Sequence, residues 1–157
     1  MTRACLSRLF VAGSILLLPS FMIEASDWHA FTKASPATVR EETSRLAVSE
    51  SKSDRLLAAE LLGRFPLYFS SEIYLSLVTR LISDENQGVR EQTVSALFDV
   101  ADGGLPTESR EQQTKLLKSI AMLLQSVRSK PGYDVEMIDG LLVKLKGNSL
   151  FKVIPHQ

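Results

Sequence analysis

The residues able to carry acid–base, nucleophilic or metal chemistry are few in this chain and lie far apart. The two histidines are His29 and His156, and neither has a second ligand at helical spacing, so the sequence predicts no metal site. The one cysteine, Cys5, lies near the amino terminus, ahead of an apolar run. A Glu-Glu pair at 41–42 and an Asp-Glu pair at 84–85 fall on expected helix surfaces or turns, where carboxylates are usually solvated.

Sequence motifs of known catalytic sites are also missing. The chain contains no Gly-x-Ser-x-Gly nucleophile turn, no phosphate-binding loop and no dinucleotide fingerprint. The pattern therefore predicts a protein that is not an enzyme and that needs neither a cofactor nor a metal ion. The competing hypothesis is a small helical enzyme that acts on cell-wall material through surface carboxylates. Such an enzyme requires a carboxylate with a raised pKa in a concave pocket.

The amino-terminal segment has the composition of an export signal. Arg3 and Arg8 give a positive start, Leu9–Ile23 is apolar apart from two serines, and Ala25 offers a small residue for cleavage. The apolar run of about 15 residues is shorter than the roughly 20 that span a bilayer as a helix. We predict a signal peptide over residues 1–25 that is cleaved at its end. An uncleaved membrane anchor is the alternative.

Removal of this segment determines the expected properties of the mature chain. It takes away two arginines, one glutamate and the cysteine, so the formal charge moves from 0 to −1 and no disulfide can form. A near-neutral chain without a polybasic stretch predicts neither nucleic-acid binding nor stable membrane insertion. The mature chain also lacks an Asn-x-Ser/Thr glycosylation site. Together with the lack of disulfides, this favours a bacterial exported protein, which is periplasmic or, alternatively, secreted.

Helical periodicity dominates the rest of the chain, and strand signals are almost absent. Prolines and glycines separate the periodic segments, and we predict an all-α fold. The predicted helices cover residues 36–48, 53–65, 71–83, 88–101, 108–127 and 134–146. The predicted divisions after the signal are a linker over 26–35, a helical repeat domain over 36–147 and a C-terminal tail over 148–157.

An internal repeat relates successive pairs of these helices. A shift of 35 positions places Arg55 on Arg90, and a further shift of 45 extends the apolar columns to the last helix. The three apolar quartets are Ala58, Leu61, Leu62 and Phe65; Thr93, Ala96, Leu97 and Val100; and Ile138, Leu141, Leu142 and Leu145. Because each quartet occupies one helix stripe, we predict three stacked helix pairs over 36–65, 71–101 and 108–146 that share a continuous core.

The second unit resembles the HEAT repeat. Its segment 84–90 (Asp-Glu-Asn-Gln-Gly-Val-Arg), followed by Thr93, Ala96 and Leu97, is similar to that family's Asp-rich turn, Val-Arg pair and helix of small residues and leucine. The first unit has Asp-Arg at 54–55 where the pattern has Val-Arg, and the third has no arginine there. The resemblance implies a short αα-superhelix of about three HEAT-like helix pairs. A tetratricopeptide repeat and an irregular helical bundle are the alternatives, in that order.

Three further features allow a structural and a functional interpretation. The resemblance implies that Arg55 and Arg90 bond to turn carboxylates and carbonyls of adjacent repeats, with direct ligand binding as the alternative. The aromatic cluster at 65–69 belongs to the core or forms an exposed contact patch. The apolar stretch at 150–154 caps the last repeat, or it binds a partner or a second copy of the chain.

The resemblance also implies where a partner binds, because the second helices of a HEAT stack line its concave side. The polar stripe left on these helices is predicted to bind the partner, and its residues are Glu60, Arg64, Glu91, Ser95, Asp99, Asp102, Glu136 and Lys144. Its acidic centre, with mixed charge on either side, favours a basic or polar partner. An ordinary solvated helix face is the other interpretation.

The predicted function is a non-catalytic exported scaffold or adaptor that binds a protein partner, of unknown identity, on the surface of its stacked helix pairs. Such stacks present rigid curved surfaces, and scaffolding is the role that the resemblance implies. A narrower alternative is a periplasmic immunity or inhibitor protein against an exported toxin, since proteins of that class are small, exported and non-catalytic.

Overall fold

A computed structural model describes residues 28–101 and 109–148, which form helices and turns without a strand. The α-helices are α1 (Pro36–Leu46), α2 (Lys52–Arg64), α3 (Ser71–Ile82), α4 (Gln87–Ala101), α5 (Arg110–Arg128) and α6 (Val135–Gly147). Two short 3-10 helices are η1 (Trp28–Phe31) and η2 (Pro66–Tyr68). The all-α prediction is confirmed for this part of the chain, and each predicted helix end lies within two residues of the observed end.

Short polar side chains define where most of the helices begin. The Oγ atoms of Ser35, Ser51 and Ser70 each accept a backbone N–H from the first turn of α1, α2 and α3. Ser109 takes part in a reciprocal capping box at the start of α5, and Asp134 caps α6, as the sequence predicts. These side chains satisfy N–H groups that have no partner inside the helix, so the helix starts are encoded locally.

The second helices of the three pairs lie next to one another, with α4 between α2 and α6. Each of them packs against the helix that precedes it in the chain, so α1 meets α2, α3 meets α4 and α5 meets α6. The first helices form the other side of the molecule, where α3 contacts α5. The buried apolar residues between these elements form one cluster. Both helices of the second pair therefore connect the first pair to the third: α4 lies between α2 and α6, and α3 contacts α2 and α5.

The three predicted apolar quartets belong to the part of this core that α2, α4 and α6 contribute. Leu62, Leu97 and Leu142 have exposed fractions of 0%, 1% and 7%, so their predicted burial is confirmed. Phe65 is the only quartet member that is half-buried, because it begins the turn into η2. Thr93 is buried, and its hydroxyl donates to a backbone carbonyl one turn earlier at 2.7 Å, so its polar atom is satisfied.

The segment just before α1 is also packed. η1 falls inside the stretch predicted to be a linker, and it contacts α2. The Phe31 side chain is buried in the core, and Trp28 packs against the edge of the core. This part of the segment thus contributes to the helical domain.

The aromatic cluster at 65–69 divides between core and surface. Phe69 is buried, whereas Phe65 and Tyr68 stack on each other, with 5.4 Å between their ring centres, and are half-buried. Leu67 is 50% exposed. The cluster therefore acts mainly in packing between the first and second pairs and leaves one apolar side chain at the surface.

Two of the features predicted from the sequence cannot be placed in this fold. The predicted signal peptide at 1–25 and the apolar stretch at 150–154 lie outside the described residues. Among the helices that are described, none is both long and apolar enough to cross a membrane.

Leu97 tests the assignment of the core, because it is buried on the central helix. Leu97→Ala leaves a cavity in a close-packed site, so we expect the free energy of unfolding to fall by roughly 2–5 kcal/mol. Urea unfolding followed by circular dichroism measures this loss. Ser95→Ala, on the exposed side of α4, is the control and should change stability by about 0.5 kcal/mol or less. A loss below about 1 kcal/mol for Leu97→Ala would show that the buried face is wrongly assigned.

Candidate functional site

A glycine sets the spacing between α4 and α2, whereas the glycine of α6 that faces α4 has ordinary van der Waals room. A Cβ atom at Gly63 would lie 3.0 Å from both the Cα and the Cβ of Ala96, so α2 and α4 approach more closely than larger residues allow. Gly140 of α6 faces Phe98, whose ring would be 3.6 Å from a Cβ at that position. The polar residues of α2, α4 and α6 are therefore carried on three closely packed neighbouring helices.

Seven of the eight residues predicted to bind a partner lie on these helices, and we call the seven the row surface. Asp102, the eighth, lies outside the described residues. The exposed members are Arg64, Ser95, Asp99 and Glu136, and the half-buried ones are Glu60, Glu91 and Lys144. Two contacts of these residues cross between helices. The carboxylate of Asp99 on α4 lies beside Gly63 of α2, and the ammonium group of Lys144 on α6 lies over the Phe98 ring of α4. The structure thus places the α2 and α6 residues on either side of α4.

The charges of the row surface are unevenly paired. Arg64 approaches Glu60 at 4.0 Å, and Gln87 donates a hydrogen bond to Glu91 at 2.7 Å. Asp99 is exposed and makes no hydrogen bond or ion pair within the described part of the chain. Four carboxylates and two cations give the row surface a formal charge of −2. Its centre is therefore acidic, and three of its four carboxylates, Glu91, Asp99 and Glu136, form no ion pair within the described residues.

Both cations of the row surface lie over aromatic rings. The guanidinium carbon of Arg64 is 4.7 Å from the centre of the Trp28 ring, on which His29 stacks at 3.8 Å. The Nζ of Lys144 is 5.4 Å from the centre of the Phe98 ring. The ring quadrupole attracts a cation placed over its face, so both side chains are held at the margins of the surface. The sequence reasoning missed both contacts, because residues 36 or more positions apart leave no local signal.

A buried hydroxyl group without a hydrogen-bond partner lies in the field of Asp99. Tyr74 of α3 is fully buried, and its Oη atom makes no hydrogen bond. Burial and the negative charge of Asp99 together raise the pKa of the Tyr74 phenol, so this group stays neutral at physiological pH. A buried polar atom without a partner costs about 1–3 kcal/mol, so such an atom needs a structural or functional reason.

Arg55 forms the bonds that the resemblance implies. Its Nη1 donates to the carbonyls of Ser49 and Glu50, at 3.0 and 2.9 Å, in the turn between α1 and α2. Its Nε and Nη2 donate to the Asp84 carboxylate, at 2.7 and 3.2 Å, in the turn between α3 and α4, and Nη2 also lies 3.5 Å from Glu85. The hydrogen bonds to Asp84 raise the pKa of the guanidinium. Arg55 therefore joins the turns of the first two pairs and has no donor left for a ligand.

Arg90 repeats part of this arrangement at the junction between the second and third helix pairs. Its Nη1 donates to the carbonyls of Asp84 and Glu85, which lie 35 positions after the two carbonyls that Arg55 binds. Its Nη2 donates to the carbonyl of Gly132 at 2.6 Å, and the guanidinium lies 4.9 Å from the centre of the Tyr133 ring. The predicted bonds to turn carboxylates and carbonyls are therefore confirmed for Arg55, and Arg90 forms only the bonds to carbonyls. The buried Nε of Arg90, however, has no acceptor.

A second set of bonds reaches the ends of the first helices: it comes from α3 to the end of α1, and from the turn between α5 and α6 to the end of α3. Arg80 donates from Nε to the carbonyl of Ala47 at 2.9 Å, and Tyr133 donates from Oη to the carbonyl of Ile82 at 2.7 Å. Ala47 and Ile82 are also 35 positions apart. Because carbonyls at a helix end have no partner inside the helix, two different side chains satisfy the same need at successive junctions.

The open cleft between the first two turns is lined by side chains that already take part in these structural contacts. It is lined by Arg55, Arg80 and Asp84, whose charged groups bond to one another or to turn carbonyls. In the described residues, no group of three His, Cys, Asp or Glu side chains is placed to hold a metal ion. Hydrogen bonds from a neighbouring lysine and arginine lower the pKa values of the surface carboxylates Glu111 and Asp139, which is opposite to the shift that an acid catalyst needs.

A comparison of the chain with protein-family models, curated proteins and solved structures finds no match. What the row surface and the two junctions do is therefore inferred from their own geometry and charge. The most informative features are the unpaired carboxylate of Asp99, the buried hydroxyl of Tyr74 and the two cations held over aromatic rings.

Replacement of Arg55 tests whether the first junction depends on it. Arg55→Ala leaves Asp84, whose side chain is only 9% exposed, without its cation, so we expect a loss on the order of 3 kcal/mol in the free energy of unfolding. Arg45→Ala is the matched control, because Arg45 is 59% exposed and pairs with Glu42 on the same helix; it should cost about 0.5 kcal/mol. Chemical denaturation measures both variants, and equal losses would contradict the bridging role.

Substitution of Tyr74 and of Tyr133 by phenylalanine tests what their hydroxyl groups contribute to stability. Tyr74→Phe removes an oxygen that has no partner, so stability should stay the same or rise by about 1 kcal/mol. Tyr133→Phe removes the donor to the Ile82 carbonyl, so stability should fall by about 1 kcal/mol. Thermal and urea unfolding measure both. A clear destabilisation by Tyr74→Phe would show that its hydroxyl is bonded in solution.

Proposed function

We propose that this chain is a non-catalytic exported scaffold or adaptor that binds a protein partner on the row surface. The observation that carries the proposal is the arrangement around Asp99: an exposed carboxylate without an internal cation lies on the middle helix, and cations held over Trp28 and Phe98 lie on either side. Tryptophan and arginine are enriched among the residues that dominate binding energy at protein interfaces. A surface of this composition is suited to a protein partner.

The proposed stacking of the helix pairs supports the row surface as the partner-binding surface. We propose that the helix pairs form a short HEAT-like αα-superhelix, with α2, α4 and α6 on its concave side. Its support is the pair of equivalent bonds from Arg55 and Arg90 to turn carbonyls, in which donors and acceptors are both 35 positions apart. The helix-end carbonyls of Ala47 and Ile82, also 35 positions apart, are bound by different side chains, Arg80 and Tyr133. Equivalent contacts at a fixed spacing are expected when the same structural unit is stacked on itself.

Export is proposed from residues 1–25, which combine a positive start, an apolar stretch and a small residue at the end. A periplasmic location agrees with a mature chain that has no cysteine and a formal charge of −1. The partner is then a protein of the same compartment. An immunity or inhibitor protein against an exported toxin is a narrower form of this proposal, and the identity of the partner distinguishes the two.

Charge reversal on α4 tests the proposed surface. The partner is first recovered by co-purification from periplasmic extract and identified by mass spectrometry. Glu91→Lys combined with Asp99→Lys should then leave the fold intact, because surface charges contribute little to stability. It should slow association about ten-fold or more, because charge complementarity acts largely on the association rate. Surface plasmon resonance measures the rate.

The control for this experiment carries the same change in charge on another part of the molecule. Glu41→Lys combined with Glu111→Lys alters exposed residues of α1 and α5 and should leave association nearly unchanged. If both double variants bind the partner as the unmodified chain does, the row surface is not the binding site. The exposed edge of the 65–69 cluster at Leu67 would then be the next candidate.

A further inference from the structure

The open cleft between the turn after α1 and the turn after α3 has room for a ligand. Its volume is about 360 Å³, within the range of clefts that hold small molecules. At the junction between the second and third pairs, by contrast, the space beside Arg90 and Tyr133 measures about 10 Å³. The two junctions are built on equivalent arginines, so the difference in volume comes from the other side chains around them.

One wall of the cleft is a fixed ion pair. Nε and Nη2 of Arg55 donate to the Asp84 carboxylate at 2.7 and 3.2 Å, and the two side chains are only 11% and 9% exposed. Glu85 approaches the same guanidinium at 3.5 Å from a side chain that is 89% exposed. Both carboxylates of the cleft are thus directed toward Arg55, and neither forms an ion pair with Arg80, which lines the same cleft.

Arg80 enters the cleft with most of its donors unused. Its Nε donates to the Ala47 carbonyl at 2.9 Å, which holds the guanidinium at the end of α1. Its Nη1 and Nη2 atoms carry the remaining N–H groups, and these have no acceptor in the part of the chain that the structure describes. Tyr133, which binds the corresponding carbonyl at the next junction, uses its one donor there. The planar guanidinium is already held through one nitrogen, so its free edge is preorganised for an acceptor.

The charges of the cleft favour a carboxylate over a phosphate. The free edge of a guanidinium matches the two oxygens of a carboxylate, whose single negative charge balances that of Arg80. A phosphate group carries more negative charge at neutral pH and is repelled more strongly by Asp84 and Glu85.

Two further groups at the cleft can bind an amide. Ser83 is exposed, and its hydroxyl makes no hydrogen bond to any other described residue. The exposed Glu85 carboxylate meets protein only at the 3.5 Å contact with Arg55. Both can accept N–H groups of a ligand, so the cleft is suited to a carboxylate that is attached to an amide chain.

We propose that this cleft binds the carboxylate of a peptide, with Arg80 as the anchoring residue. Nη1 and Nη2 of Arg80 donate to the two carboxylate oxygens, and Ser83 and Glu85 accept N–H groups of the adjoining amides. The carboxylate is the C-terminus of the peptide or an acidic side chain, since both present the same group. No residue that lines the cleft belongs to the row surface, so this is a second binding site beyond the proposed function.

A titration followed by proton–nitrogen correlation NMR tests the site in the chain purified as the cell processes it. The probe is the peptide N-acetyl-Gly-Gly-Ala with a free carboxylate. We expect saturable shifts of the Ser83, Asp84 and Glu85 amide signals. The same peptide with an amidated C-terminus should bind at least about ten-fold more weakly, because it lacks the charged acceptor. N-acetyl-Gly-Glu-Gly-amide carries the carboxylate on a side chain, and the tighter of the two carboxylate peptides identifies the source.

Two variants separate recognition by Arg80 from a structural effect. Arg80→Gln should weaken binding of the free-carboxylate peptide about ten-fold or more. Because this variant also loses the bond to the Ala47 carbonyl, Ser83→Phe is the second variant: it places a ring in the cleft, keeps Arg80 and should abolish the shifts without lowering the unfolding temperature. Arg110→Gln, at an exposed arginine of α5 outside the cleft, is the matched control and should leave the dissociation constant unchanged.

Several results would overturn the inference. They are equal binding of the free and amidated peptides, unchanged binding by a folded Arg80→Gln or Ser83→Phe variant, and no saturable shift at peptide concentrations up to about 10 mM. Acetate or inorganic phosphate that binds as tightly as the peptide would also overturn it, because neither has an amide and phosphate has the disfavoured charge. None of these results bears on the row surface, which is tested by reversal of Glu91 and Asp99.

Discussion

The guanidinium of Arg55 is the contact on which the register of the first two helix pairs depends. A turn between helices leaves carbonyls without helical partners, and a carboxylate such as Asp84 cannot be buried without a cation. Arg55 meets both needs at once, because its rigid fork points donors toward its own turn and toward the next one. A slip of one pair along the other would leave both groups unsatisfied. The position of Asp99 over Gly63 follows from this register.

The second junction meets the same requirement with different atoms. Tyr133 donates to the helix-end carbonyl that corresponds to the one bound by Arg80, and its ring supports the guanidinium of Arg90. Here no carboxylate takes the place of Asp84, so the Nε of Arg90 has no acceptor. The α2–α4 side of the row surface therefore depends on a nearly buried ion pair, and the α4–α6 side depends on aromatic packing and a hydrogen bond to the Gly132 carbonyl.

The sequence predicts the helices and their buried faces because both are encoded locally. Apolar residues at helical spacing identify the stripes, and side chains such as Ser70 and Asp134 mark where helices begin. The stripe of charged residues follows from the same spacing. Contacts such as Trp28 with Arg64, or the burial of the Tyr74 hydroxyl, depend on how distant helices are placed in space. A single sequence has no periodic signal for that placement, so the chemistry of the surface emerges only from the packed helices.

On the proposed binding surface, the charges that the fold has already paired determine what a partner group would meet. A carboxylate in water has little preference among partners, because its interactions are weak and screened. On this surface, Arg64 and Lys144 are held over rings, so little side-chain entropy is lost when a partner arrives. An acidic partner group would meet engaged cations and the repulsion of Asp99, whereas a basic group meets a carboxylate without a cation. In the proposed binding mode, selectivity for the sign of charge would follow from internal packing: the rings hold the two cations, and Glu91, Asp99 and Glu136 form no ion pair within the described residues.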